Sequence, residues 1–284
     1  MKIGVIVDSF RVGFEEGVKR AAAVGADGIQ AYATIGAFSP TTLNTKQQRE
    51  ALDYVRSNGL VFSALCGDFG GHGFMNEEEN PDRIERSKRI IDMALELDCK
   101  VVTTHIGLIP ADRNNPRYDI MQRACYKLGE YAEKCGAYFA VETGPEPAAT
   151  LARFIKELGV KGVAVNLDPA NLAMVLGENS VEAAKILGPL AVHTHAKDGI
   201  MLKKEDPEVI YGLVKHEEMG ERPEYFREVV LGTGDVHFEK YLPALKASGY
   251  NGFLTVEREA GASPEKDIKV AVDFLKKQIA DLKL

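Results

Sequence analysis

The sequence lacks the cysteine patterns and the long apolar runs that would place it in several large classes of protein. Its four cysteines, Cys66, Cys99, Cys125 and Cys135, form no CxxC pair, which disfavours both a zinc cluster and a disulfide framework. No stretch of about 18 uninterrupted apolar residues occurs, as a membrane-spanning helix requires. The apolar run at the N-terminus meets Asp8 before it is long enough for a signal-peptide core. We therefore expect an unprocessed, soluble, cytoplasmic protein with free thiols and no membrane partner.

The sequence also lacks any run of lysine and arginine. Its net charge is −7, from 42 acidic and 35 basic residues, so the broad basic surface of a protein that grips a phosphate backbone is missing. We expect no nucleic-acid partner. The 284 residues are 45% hydrophobic and 27% charged, which is ordinary globular composition and enough length for one barrel-sized domain.

Short apolar or β-branched runs alternate with helical patterns along the whole chain. The predicted strands occupy residues 2–7, 29–33, 60–66, 100–105, 137–142, 163–168, 190–195 and 253–257. The predicted helices occupy about 12–24, 45–58, 80–97, 115–135, 148–158, 181–187, 238–247 and 263–282. Thr45 and Gln48 predict a capping box, and Asn-Pro pairs at 80–81 and 115–116 predict capped helix starts.

Eight such alternations predict an α/β fold, a single (β/α)8 TIM barrel with eight parallel strands over residues 1–284. The competing open, doubly wound sheet lacks its GxGxxG fingerprint after the first strand. Residues 199–235 are expected to form an extended, irregular loop insertion, and loops of this length are usually functional or lid-like.

Polar residues stand at the ends of four consecutive predicted strands: Glu142, Asp168, His195 and Glu257. In a barrel these ends share one rim, where sites are built. Three carboxylates and one imidazole favour one divalent ion, with Mn²⁺ preferred, Mg²⁺ or Co²⁺ allowed and Zn²⁺ less favoured. The alternative is four unrelated strand ends whose polar groups are satisfied by loop amides.

Five segments resemble the xylose isomerase-like TIM barrels, the sugar phosphate isomerase/epimerase superfamily with its ketose 3-epimerase and inosose dehydratase-like branches. They are residues 141–144, 166–171, 193–198, 232–236 and 252–257, and the resemblance extends over essentially the whole chain. It implies that Glu142, Asp168, His195 and Glu257 bind one metal and that Glu142 and Glu257 double as an acid/base pair. It also implies a homodimer or homotetramer.

The chemistry that the resemblance implies is proton abstraction next to a carbonyl. A metal that chelates the carbonyl and a neighbouring hydroxyl stabilises the resulting enediolate, and two glutamates on opposite faces of the sugar exchange the proton. The leading hypothesis is a sugar or sugar-phosphate isomerase or epimerase. The runner-up is a dehydratase, a lyase of a keto-inositol or related polyol that uses the same metal site. An apurinic endonuclease-like nuclease and a non-catalytic sugar-binding protein rank lower.

Two departures from the ketose 3-epimerases stand out. Asn171 occupies the place of their substrate-binding histidine, and their arginine is not evident after His195. Lys197-Asp198 instead resembles the inosose dehydratase-like branch. Either Lys197 holds a substrate oxygen, or Lys197 and Asp198 form a surface salt bridge.

Three further histidines and one glycine pair complete the candidate site. His193 shares a strand face with His195 and is expected one layer deeper, where it orients the metal ligand. His105 ends the fourth strand and His72 lies on a glycine-rich loop, so each is a candidate substrate contact, together with Asn171 and Lys197. Strand-end hydrogen bonding for His105 and a surface position for His72 are the alternatives. Gly232-Thr-Gly234 lies where barrels often place a phosphate.

Overall fold

The computed structural model describes residues 1–34, 36–214 and 223–284. Within these residues the strands are β1 Lys2–Ile6, β2 Gly28–Tyr32, β3 Val61–Cys66, β4 Val101–Thr104, β5 Tyr138–Glu142, β6 Val163–Leu167, β7 Ala191–Ala196, β8 Asp198–Met201, β9 Phe226–Val229 and β10 Phe253–Val256. The helices are α1 Phe14–Val24, α2 Thr45–Ser57, α3 Asn80–Glu96, α4 Pro116–Cys135, α5 Ala148–Leu158, α6 Pro169–Leu176, α7 Ser180–Leu187, α8 Pro207–Ile210, α9 Phe238–Ala247 and α10 Pro264–Leu282.

Eight parallel strands close into a barrel in the order β1-β2-β3-β4-β5-β6-β7-β10, with β10 pairing back onto β1. Helices cover the outer face, so strand residues are buried on both sides, and β6 is buried at every position. The predicted (β/α)8 barrel is confirmed. Because all eight strands run in one direction, their carboxyl ends meet at one rim.

The connection after β7 is more regular than expected. The prediction of an irregular loop over residues 199–235 was wrong in part, because β8 and β9 pair as an antiparallel ribbon and α8 lies between them. Residues 215–222 of the expected insertion lie outside the described residues. Each ribbon strand has four residues and its partner is distant in sequence, so no local periodicity indicates the pairing.

Two of the three predicted helix caps differ from the sequence prediction. The capping box of α2 is formed by Asn44 and Gln47, one residue earlier than predicted. Asn80 does not cap α3, which follows Glu79, because the Asn80 amide donates to the carbonyl of Phe74. The prediction for α4 is confirmed, since the Asn115 side chain accepts from the Arg117 amide.

Helix α6 was not predicted at all. It begins directly after Asp168, whose side chain accepts hydrogen bonds from the amides of Ala170 and Asn171. An Asp-Pro pair at a helix start is the same device as the Asn-Pro pair of α4, so a signal was present in the sequence. No helix in the described ranges has both the length and the apolar character needed to cross a membrane.

Candidate metal centre

Four side chains converge at the carboxyl rim of the barrel. They come from the ends of β5, β6, β7 and β10 and are Glu142, Asp168, His195 and Glu257. Each offers a ligand atom, and these atoms all lie within 4.8 Å of one another. All four residues are buried. The barrel therefore brings together the set of strand-end residues that the sequence indicated.

Two polar atoms in this cluster have no hydrogen-bond partner among the residues that the structure describes. They are Oδ2 of Asp168 and Nδ1 of His195. The His195 Nδ1 atom lies 3.1 Å from Oε2 of Glu257, 3.3 Å from Oε1 of Glu142 and 3.9 Å from Oδ2 of Asp168. Buried polar atoms are nearly always satisfied, and a cation among these atoms would satisfy both. The three carboxylates and one imidazole fit a divalent ion of the Mn²⁺ or Mg²⁺ type.

The electrostatics of the cluster point to the same fit. Burial by itself lowers the pKa of His195. The negative charges of Glu142 and Glu257 have the larger, opposite effect, and the pKa of His195 is raised well above its usual value. Burial likewise opposes ionisation of Glu142 and Glu257, yet the pKa of each is lowered, with His195 acting on both. Burial raises the pKa of Asp168 to about 7, against the opposing charge of Lys197. A divalent cation would supply the positive charge that a proton on His195 otherwise brings.

A second layer of polar side chains holds the ligands in place. Oε1 of Gln30 lies 3.2 Å from Nε2 of His195, which leaves Nδ1 free to face the carboxylates. The Asn166 amide donates to Oε2 of Glu142 at 3.0 Å, and its oxygen lies 2.9 Å from Nδ1 of His193. His193 also contacts the Thr255 hydroxyl. His193 therefore acts on the cluster through Asn166, since its ring meets that of His195 only edge to face.

Sequence reasoning missed two members of this layer. Gln30 is fully buried in β2, and Asn166 lies in a resembling segment but was given no role. Each is a polar residue inside a short strand that is otherwise mainly apolar. Such a residue is a usable signal, because a polar side chain in a barrel strand needs a buried partner.

A cavity of about 360 Å³ opens over the cluster. Its lining includes all four residues that the sequence proposed as substrate contacts: His72, His105, Asn171 and Lys197. Nε2 of His105 lies 3.5 Å from Oε1 of Glu142, and the Asn171 amide donates to the same oxygen at 3.2 Å. His72 lies on an exposed part of the mouth. The β8–β9 ribbon adds Phe226 and Glu228 to the wall.

Lys197 is buried, with 6% of its side chain exposed, and its ammonium lies 3.2 Å from Oε2 of Glu257 and 2.5 Å from Oε2 of Glu259. Glu257 and Glu259 raise its pKa despite burial, which acts in the opposite direction. The alternative of a surface salt bridge with Asp198 is wrong. The two side chains face different partners, because successive residues of extended chain point to opposite sides.

The Asp198 carboxylate organises the loop that contains Gly232-Thr-Gly234. It accepts hydrogen bonds from the amides of Gly199, Gly232, Gly234 and Val236. The Thr233 amide donates to the carbonyl of Val230. These backbone amides are therefore used within the protein and are not available to a phosphate.

The fold and the site together define a (β/α)8 barrel with a buried cluster at its carboxyl rim that could hold a metal ion. The chain belongs to the xylose isomerase-like TIM barrel family, whose model matches residues 18–278. The resemblance inferred from the sequence is thereby confirmed.

Known relatives agree with this assignment. The uncharacterized protein MJ1311 of Methanocaldococcus jannaschii is 25% identical over 213 residues, which are 71% of this chain and 65% of that protein. The chain thus spans less than two thirds of that relative. The crystal structure of a xylose isomerase domain protein from Planctomyces limnophilus is 26% identical, with a TM-score of 0.80 over 99% of this chain and 97% of that one.

Two more distant structures share the fold. One is a D-psicose 3-epimerase determined in the presence of D-fructose, at 16% identity and a TM-score of 0.73, covering 98% of this chain and 99% of that one. The other is the probable 3-DHS dehydratase AsbF from Bacillus anthracis, at 18% identity and a TM-score of 0.72, covering 97% and 99%. The same barrel is therefore found in an epimerase and in a dehydratase.

Proposed function

We propose that this protein is a divalent-metal-dependent isomerase or epimerase of a sugar or sugar phosphate. The observation that carries the proposal is the cluster of four ligand atoms that lie within 4.8 Å of one another. Two of the four residues, Asp168 and His195, each have a buried polar atom with no hydrogen-bond partner among the described residues. Mn²⁺ is the ion we expect, with Mg²⁺ or Co²⁺ as substitutes. A bound divalent cation would polarise a substrate carbonyl and make the neighbouring C–H bond more acidic.

Glu142 and Glu257 are proposed as the groups that move the proton. They come from β5 and β10, which are separated by β6 and β7 in the barrel, so the two carboxylates reach the site from different directions. Glu142 is held by the amides of Asn166 and Asn171. The lowered pKa values of both glutamates favour the ionised form that the proton acceptor needs. The glutamate that returns a proton has to take one up from solvent before the transfer.

The outcome depends on where the proton is returned. One glutamate takes the proton from the carbon next to the carbonyl. Return by the other glutamate to the opposite face inverts that carbon, which is epimerisation. Return to the former carbonyl carbon, with transfer of the neighbouring hydroxyl proton to the former carbonyl oxygen, converts a ketose into an aldose, which is isomerisation.

The proposal is tested by proton exchange in D₂O. The Mn²⁺-loaded protein is incubated with a panel of free and phosphorylated ketoses, and deuterium at the carbon next to the carbonyl is followed by NMR. We expect metal-dependent exchange that Glu142→Gln and Glu257→Gln each reduce by at least about 10²-fold. Glu130→Gln, on the outer surface of α4, is the control and should leave exchange unchanged. Absence of metal-dependent exchange with every sugar would overturn the proposal.

A dehydratase is the second candidate, and the buried ammonium of Lys197 beside Glu257 favours it. A cation next to the base stabilises the negative charge of a departing hydroxide. Loss of water next to the carbonyl would give a conjugated product that absorbs in the ultraviolet. If the D₂O experiment shows this absorbance in place of a rearranged sugar, the enzyme is a lyase.

A further inference from the structure

We propose that the site selects uncharged carbohydrates over phosphorylated ones, and that Glu259 determines this specificity by forming an ion pair with the ammonium of Lys197. The inference rests on the proposed function and narrows its substrate class to free sugars or polyols. It is carried by the charges that line the cavity, by the two partners of Lys197 and by the hydrogen bonds of the neighbouring loop.

The cavity is lined by an excess of carboxylates. Among the described residues its acidic lining consists of Asp68, Glu142, Glu228, Glu257 and Glu259, and its one lysine or arginine is Lys197. Asp168 adds a further carboxylate to the metal cluster. Arg258 pairs with Glu228 at 2.6 Å. Even with this guanidinium, a divalent cation and one ammonium, the set keeps more negative than positive charge. Such a cavity repels a phosphate dianion and accepts a neutral sugar.

Lys197 is the residue that would be expected to bind an anionic group of a substrate, but its ammonium already forms ion pairs with two carboxylates. An ammonium has three donor hydrogens, and Lys197 directs Nζ to Glu257 at 3.2 Å and to Glu259 at 2.5 Å. The Glu259 side chain is 60% exposed whereas that of Lys197 is only 6% exposed. Glu259 therefore lies on the solvent side of the ammonium and separates it from an incoming anion.

Among the described residues, Glu259 has no other side-chain partner that would explain its position. Its backbone is held separately, since Arg11 donates to its carbonyl and its amide donates to Glu228. An ion pair with one partner this exposed contributes little to stability. Its larger effect is on the charge presented to a ligand.

Two sets of backbone amides and one histidine near the rim are also in use. The amides of Gly232 and Gly234 donate to Asp198, and the first free amides of α6 donate to Asp168. His105, the other candidate cation at the rim, lies against Glu142. Residues 215–222, which contain two basic and three acidic residues, lie outside the described part of the chain.

The test compares the binding of matched sugars that differ only in a phosphate. D-fructose and D-fructose 6-phosphate, and D-ribulose and D-ribulose 5-phosphate, are titrated into Mn²⁺-loaded protein by calorimetry. The wild-type protein should bind each phosphate ester at least about tenfold more weakly than its free sugar, the size expected for one or two unit charges a few ångströms from a dianion. Glu259→Gln should narrow that ratio by about tenfold.

Glu265→Gln is the matched control. The Glu265 side chain is 59% exposed and pairs with Arg20 at 2.6 Å. The substitution therefore removes a carboxylate about as exposed as that of Glu259, but one that does not line the cavity. It should leave the ratio unchanged. Equal or tighter binding of the phosphate esters by the wild-type protein, or an unchanged ratio in Glu259→Gln, would overturn the inference alone. If none of the four ligands binds to any of the proteins, the proposed function fails and the inference fails with it.

Discussion

Asp168 is the residue at which the buried charge of the metal centre can be measured most directly. It is completely buried and its Oδ2 atom has no partner, while Oδ1 caps α6 by accepting from the amides of Ala170 and Asn171. Asparagine is an equally good N-cap. The substitution Asp168→Asn therefore removes the charge and keeps the helix start.

The expected magnitude follows from the pKa of Asp168. Burial raises that pKa to about 7, from 3.8 in the unfolded chain. A carboxyl whose pKa is raised by folding favours the folded state while it is protonated. This stabilisation is complete at a pH below the pKa of the unfolded chain, and it is lost as the pH rises from about 4 to about 7. Ionised Asp168 therefore costs the metal-free protein up to about 4 kcal/mol at pH 8. Asp168→Asn should recover most of this free energy.

The assay is urea unfolding of both proteins in EDTA at pH 5 and pH 8, repeated with Mn²⁺. At pH 8 in EDTA the variant should be the more stable protein, and at pH 5 its advantage should shrink by more than half. Mn²⁺ at a thousand times its dissociation constant stabilises the wild-type protein by about 4 kcal/mol, so the advantage should disappear.

The control for this experiment is Asp206→Asn. Asp206 also caps a helix that begins with proline, but it is exposed and lies outside the metal cluster. Its substitution should change stability by less than about 0.5 kcal/mol at either pH. A variant Asp168→Asn that is less stable than the wild type in EDTA at pH 8, or whose advantage grows with Mn²⁺, would refute the reasoning.

Two further predictions concern residues that hold the site together. Gln30→Leu removes the acceptor beside Nε2 of His195 and should weaken Mn²⁺ binding by about 10- to 100-fold in calorimetry. Gln30→Glu keeps an acceptor and should retain the affinity for Mn²⁺. Equal affinity in the wild-type protein and both variants would contradict this role of Gln30. Gly234→Ala places a Cβ 2.3 Å from Oδ1 of Asp198 and should lower the free energy of unfolding by about 1–3 kcal/mol. In the control Gly144→Ala the nearest atom to the new Cβ would be 3.6 Å away, so the free energy of unfolding should fall by less than about 1 kcal/mol. Equal losses in the two glycine variants would show that the close contact is not the cause.

The strand-end prediction succeeded because it needed only local information and one rule of topology. Short apolar runs indicated the strands, and parallel strands in a closed barrel bring their carboxyl ends to one rim. Glu142, Asp168, His195 and Glu257 could therefore be grouped without knowledge of any side-chain contact. The barrel itself followed from the number of alternations.

The partners of these residues could not be predicted in the same way. Gln30 and His195 are 165 positions apart in the chain, and Lys197 meets Glu259 across 62 positions. Neither pair leaves a periodic pattern. The alternatives for Lys197 stayed open until burial and distance showed that it faces two glutamates. The amides of Gly232 and Gly234 likewise meet Asp198 more than 30 positions away.

The amino-acid sequence alone thus determined the barrel, the family and the four strand-end residues that meet at its rim. Those features depend on periodicity along the chain and on the chemistry of each strand end. Only the tertiary structure decided which side chains orient the ligands, which carboxylate covers Lys197 and where the β8–β9 ribbon lies. Hydrogen bonds and ion pairs act over a few ångströms, so the closure of the barrel selects their partners, whatever the distance along the chain.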